Sequence, residues 1–129
     1  MTDITKIFSN FVSQATLQNF NDEMIFFSKM SMIDWCGVAY AAKEEQVSKI
    51  VTKLIDEEQT KGLSRLISNG KEVSAKSAAF VNGTIGHALD YDDTHFLFTG
   101  HPTASAFPTA LALGEELGSS IDEIMLAYM

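Results

Sequence analysis

Every histidine of the chain falls between positions 87 and 101, and three aspartates fall among them. The order is His87-Ala88-Leu89-Asp90-Tyr91-Asp92-Asp93-Thr94-His95, with His101-Pro102 following. Imidazole titrates near neutral pH, and a carboxylate beside it orients the ring and raises its basicity, so this combination suits proton transfer. The same nitrogens and oxygens are also the usual ligands of a divalent metal. The spacing contains no HExxH and no DxDxDG loop, so no metal ligand is assigned. A third reading is structural: Asp90 or Asp92 caps the helix opening at Pro102 or its own loop, and the histidines are satisfied donors. Any one of these residues alone is more often structural. The clustering of every histidine favours the acid/base reading.

The elements that must position this cluster are helical by pattern. Ile4, Ile7, Phe8, Phe11, Val12 and Ala15 recur at helical spacing and predict an amphipathic helix from Ile4 to about Gln18. Asn21 is a candidate N-cap, with Asp22 and Glu23 in the first turn of a helix reaching about Ala42. Its stretch Met30–Tyr40 is apolar on most sides and should be buried, with Trp35 and Met32 in the core. Cys36 lies in that run and reads as a small core residue. A third helix spans Glu44–Glu58, and Gly62, Asn69 and Gly70 mark turns after it.

A fourth helix, Ala75 to about Asp90, is built from small residues that allow close packing. It would put His87 and Asp90 on one face, three residues apart. Tyr91–Gly100 reads as an exposed loop. Pro102 opens a helix to about Leu117, with Gly118 as C-cap and Pro108 inside to kink or delay it. Ser120 and Glu123 form a capping-box pattern opening a last helix at Ile121. The apolar end at Met129 reads as an interruption. No convincing strand alternation is present, so the expected fold class is all-α, with about six helices in one partial domain, 1–129.

Composition narrows the function classes. A formal charge of −8 argues against nucleic acid or an anionic membrane as partner. One cysteine cannot ligate an iron–sulfur cluster or form an internal disulfide. With no run of about 18 apolar residues and no cleavable leader, no membrane span is expected and the location expected is cytoplasmic.

The run Ala78-Ala79-Phe80-Val81-Asn82-Gly83-Thr84-Ile85-Gly86-His87 through His95 resembles the central segment of the MmgE/PrpD family. His101-Pro102-Thr103-Ala104-Ser105 is similar to the histidine–proline motif that follows it. Met32-Ile33-Asp34-Trp35-Cys36-Gly37-Val38 is similar to an earlier helix, and Glu115–Gly118 with Ser120–Ala127 to the next helix pair. The resemblance implies the N-terminal part of a large all-helical domain. The rest of that domain, and a smaller α/β lid, would lie outside this chain. It implies a lyase or isomerase acting on small di- or tricarboxylates, such as 2-methylcitrate dehydratase or cis-aconitate decarboxylase. It implies a homo-oligomer and no cofactor.

Carried over by motif position, Asp90 and His101 fall among catalytic residues and Thr94 contacts a substrate carboxylate. Asn82, His87, Asp93 and His95 support the site. The clustered acids would repel a polyanion, so the chain alone is expected to be inactive. Two other classes remain open: a non-catalytic, self-associating helical module, and a metal-dependent hydrolase using the His/Asp cluster.

Overall fold

The computed structural model describes residues 3–97 and 99–129. Six α-helices lie among them: α1 (Ile4–Gln14), α2 (Asp22–Ala41), α3 (Gln46–Glu58), α4 (Ala75–Gly86), α5 (Pro102–Leu117) and α6 (Ile121–Tyr128). The expected all-α class therefore holds, with one addition. Two short antiparallel strands, β1 (Ser64–Arg65) and β2 (Glu72–Val73), pair Ser64 with Val73 and Arg65 with Glu72. Two-residue strands are too short to show alternation, which is why the pattern did not reveal them.

Local chemistry accounts for the helix starts. Asn21 accepts from the Met24 amide, Ser74 from Ser77 and Ser120 from Glu123, each satisfying an amide the helix leaves without a partner. Glu123 closes the expected capping box, and its bonds to Ser120 hold its carboxyl below the usual value. The help of that carboxylate to α6 is thus present above the ordinary carboxylate range and is lost as pH falls through the lowered pKa. Three boundaries differ from expectation. α1 stops at Gln14 before a 3-10 turn at Leu17–Asn19, and Ala42–Glu44 is a 3-10 turn ahead of α3. α4 stops at Gly86, with consequences for the site.

α4 and α5 form the centre, and their contact depends on small residues. A Cβ on Gly83 would lie 3.0 Å from the Ala104 carbonyl oxygen. That oxygen has lost its usual donor four residues on, because position 108 is proline. α5 nevertheless runs unbroken through Pro108, so the expected delay does not occur. The missing Cβ of Gly83 makes room for the freed carbonyl. α2 crosses α4 where Gly86 faces the Trp35 indole, which a Cβ there would overlap. Trp35 is fully buried and meets Phe107 edge-on, centroids 5.2 Å apart. Phe107 in turn meets Tyr128 of α6 at 5.6 Å.

The expectation that Met30–Tyr40 is buried needs correcting. Met32, Trp35 and Ala39 are buried, on one face. Met30, Ile33, Cys36 and Tyr40 are exposed. The apolar stripe of α1 is exposed as well, from Ile4 through Val12. Cys36 is therefore not a core residue. Partial desolvation pushes its thiol above the ordinary value, which argues against a reactive thiolate. Among the described residues no helix is long and apolar enough to cross a membrane.

Candidate functional site

The site lies where the chain leaves α4 and enters α5. His87 is the residue that ends α4, and the backbone then turns through amide bonds from Ala88 to Ile85 and from Asp90 to His87. Asp90 takes the left-handed conformation, φ 56°. An aspartate tolerates that region better than most side chains. His87 and Asp90 therefore do not share a helix face as expected. The turn brings Asp90 and Asp92 under His101, the residue that precedes α5.

Asp92 is the centre of the cluster. Its side chain is 1% exposed, although it sits in a stretch expected to be an exposed loop. His87 Nδ1 lies 3.0 Å from Asp92 Oδ1 and 3.2 Å from Oδ2. His101 Nδ1 lies 3.5 Å from Asp92 Oδ2 and 3.3 Å from the Asp92 carbonyl oxygen. His101 Nε2 lies 3.4 Å from Asp90 Oδ1. The two imidazole centroids are 4.6 Å apart at 50°. None of the ion pairs found among the described residues joins a lysine or arginine to these aspartates. His87, Asp90, Asp92 and His101 each offer a ligand atom within 4.8 Å of the others, so these are the groups that could enclose a divalent cation.

Asp93 points elsewhere. Its carboxylate accepts from the Thr103 amide at 3.2 Å and from the Thr103 hydroxyl at 2.9 Å, in the first turn of α5. A carboxylate placed there satisfies an unpaired amide and meets the positive end of the helix dipole. Because Thr103 Oγ1 spends its proton on Asp93, the Tyr128 hydroxyl, 2.7 Å away, donates to Thr103. The structural reading expected such a cap from Asp90 or Asp92; Asp93 supplies it. Thr94 and His95 are exposed in the loop, where the His95 amide donates to Gly100 at 2.9 Å.

Asn82 is buried in α4 and bonds to the strand segment, not to this cluster. Its Oδ1 accepts from the Ile67 amide and its Nδ2 donates to the Arg65 carbonyl, which anchors the strand segment to α4. Asn82→Ala would leave both backbone groups unpaired. The expected loss is about 2 kcal/mol, since both bonds are only part-buried and each unpaired group then costs near the low end of about 1–3 kcal/mol. A shift of the urea midpoint measures it, and a loss below about 0.5 kcal/mol would contradict this role.

Beside the histidines opens a cleft of about 800 Å³. Its walls include Phe80, Gly83, Thr84, His87, His101 and Ser105. No lysine or arginine lines it. The structure thus brings together Asp90, His87 and His101. It leaves Thr94 and His95 on the loop and turns Asn82 and Asp93 to fold-holding bonds. Asp92 was read in the sequence as a member of the cluster and a candidate cap but given no site role, because an irregular loop has no period to show which of three aspartates points inward.

Comparison with known proteins agrees with the motif. The MmgE/PrpD N-terminal domain matches residues 6–129. Cis-aconitate decarboxylase of Homo sapiens is 26% identical over 122 residues, covering 93% of this chain and 25% of the relative. The Mus musculus protein of the same name is 27% identical over 118 residues, covering 91% of this chain and 24% of the relative. The chain spans about a quarter of the length of these curated relatives. With a match that runs almost from end to end and a helical frame holding the motif's histidines and aspartates together, the chain belongs to the MmgE/PrpD family through its N-terminal domain.

Proposed function

We propose that the chain is the N-terminal part of a lyase or isomerase that moves a proton on a small di- or tricarboxylate. The observation that carries this is His101: its Nε2 pairs with Asp90 Oδ1, and the residue lines the cleft. An imidazole so placed can take a proton from carbon beside a carboxylate, or return one to a leaving hydroxyl or to a carbanion. Asp90 stabilises the protonated ring when the proton is held there. The names of the curated relatives favour cis-aconitate as a substrate, and the motif's resemblance adds 2-methylcitrate.

The cleft supplies hydroxyls from Thr84 and Ser105 but no cation to hold a polycarboxylate. The binding cations must come from outside this chain. The isolated chain is therefore expected to leave cis-aconitate and 2-methylcitrate unchanged, as followed by proton NMR. An assembly that also contains the remaining length of a family member is expected to turn one of them over. Turnover by the isolated chain would overturn the need for outside cations. An assembly inert toward every di- and tricarboxylate would overturn the reaction class.

A second reading, a self-associating helical module, is favoured by the exposed apolar residues of α1 and α2. Both readings share a homo-oligomer, and a monomeric mass by light scattering at micromolar concentration would count against that assembly.

A further inference from the structure

We propose that Asp92 is a positioning residue that fixes the ring tautomer of His101, so that Nε2 and not Nδ1 carries the lone pair facing the cleft. His101 Nδ1 faces two oxygens, and both belong to Asp92: the backbone carbonyl at 3.3 Å and the carboxylate Oδ2 at 3.5 Å. A carbonyl oxygen can only accept. An ionised carboxylate can only accept. Nε2 also faces a carboxylate oxygen, Asp90 Oδ1 at 3.4 Å, but that side chain is 76% exposed and shares its oxygens with water, whereas both acceptors at Nδ1 belong to the buried Asp92. The proton on the neutral ring therefore sits at Nδ1, which leaves Nε2 bare. Free imidazole side chains can exchange between the two tautomers, so this is a constraint imposed by the fold.

The same carboxylate holds a second ring. His87 Nδ1 lies 3.0 Å from Oδ1, and it too must donate to an ionised Asp92. One buried side chain thereby orients two histidines from two helices, His87 closing α4 and His101 preceding α5. Asp92 can do this because it is enclosed. Its side chain is 1% exposed, against 76% for Asp90, so water does not compete for its oxygens. The groups that face it are His87 from the end of α4 and His101 from the start of α5, while the Asp93 carboxylate turns away to Thr103. A hydrogen-bonded partner on the far nitrogen is what selects the working nitrogen of a catalytic imidazole.

The use of the bare Nε2 in proton transfer rests on the lyase or isomerase reading above. The tautomer itself does not, and it can be measured without any substrate. Long-range proton–nitrogen NMR of the uniformly labelled chain, at a pH where the rings are neutral, separates protonated from bare ring nitrogens. The expected spectrum shows His87 and His101 protonated at Nδ1. Asp92→Asn, which keeps the backbone carbonyl but replaces the anionic acceptor with a neutral amide, is expected to weaken the preference of His101 for protonation at Nδ1. His87→Ala is expected to leave the His101 tautomer unchanged, because Asp92 still faces it. A wild-type His101 protonated mainly at Nε2 would overturn the proposal, and this spectrum decides even if Asp92→Asn does not fold. An Asp92→Asn variant that folds and keeps Nδ1 protonated to the same extent would also overturn the role of the carboxylate. In an assembly that turns over, Asp92→Asn is expected to lower kcat while KM stays near the wild-type value. Correct tautomers with an inert assembly would fail the functional reading and leave the positioning role standing.

Discussion

Trp35→Ala is expected to cost about 3–5 kcal/mol of folding free energy, the range for removing a large buried aromatic. A domain of this kind holds only about 5–15 kcal/mol in total, so the variant loses a large part of its stability. The reason is the position of the ring. It is fully buried, it packs edge-on against Phe107 of α5, and it fills the space that Gly86 leaves open on α4. One side chain thus joins three helices. Its Nε1–H is buried without a partner among the described residues, which lowers what the wild-type tryptophan contributes. Trp35→Phe should therefore cost much less than Trp35→Ala, because it keeps most of the apolar surface and removes the unpaired donor. Urea unfolding of the three proteins checks both statements. A Trp35→Ala loss below about 1 kcal/mol, or a Trp35→Phe loss as large as that of alanine, would show that the ring does not hold the three helices together.

His101→Ala, introduced into an assembly that turns over a carboxylate, is expected to lower kcat by about 10²- to 10⁴-fold, the usual worth of a positioned acid/base group. The substitution removes the ring whose Nε2 meets Asp90 and whose edge forms part of the cleft. It also deprives the buried Asp92 of one of its two imidazole partners, so a modest loss of stability should accompany the loss of rate. His95→Ala is the control. That side chain is exposed, and its backbone, not its ring, makes the bridge to Gly100. A His95→Ala rate within about 10-fold of wild type beside a His101→Ala collapse would assign the proton to His101. Equal effects at both positions would move the chemistry away from Nε2 of His101.

Much of the frame was legible because it depends on short-range rules. Asn21 and Ser120 each read as caps from residue type, and each does cap its helix. Trp35 and Met32 sit in the core as the pattern implied. The errors have a common physical origin, which is tertiary packing. Periodicity could say that α2 is apolar on most sides, but which of those sides is covered depends on where α4 and α5 cross it. Cys36 and Tyr40 thus fell on the open side. The end of α4 was misjudged by about one turn because Asp90 adopts a left-handed conformation that no helical pattern announces.

The site was legible as a set of residues and not as an arrangement. The clustering of every histidine pointed to the right fifteen or so positions. The division of labour among the three aspartates did not follow from it. Asp93 is committed to the start of α5, Asp90 to Nε2 of His101, and Asp92 to both rings. Those roles are set by a turn whose course is fixed by its two flanking helices. Asn82 belongs to the motif yet holds the strand segment in place, a use that only a long-range contact could reveal.

The close approach of Gly83 to Ala104 bears on how the site moves. Loops that carry chemistry usually open more readily than the core around them. Here the loop hangs between two helices whose backbones nearly touch, at a point where a proline has freed a carbonyl and a glycine has made room for it. Sliding α4 along α5 would drive that oxygen into a neighbouring side chain on either side of the glycine. The spacing of His87 and His101 is therefore locked to the helix pair and not to the loop. Thr94 to Leu97 are exposed and take no part in that helix contact, so the register of the two imidazoles does not depend on them, and access and geometry are mechanically separate.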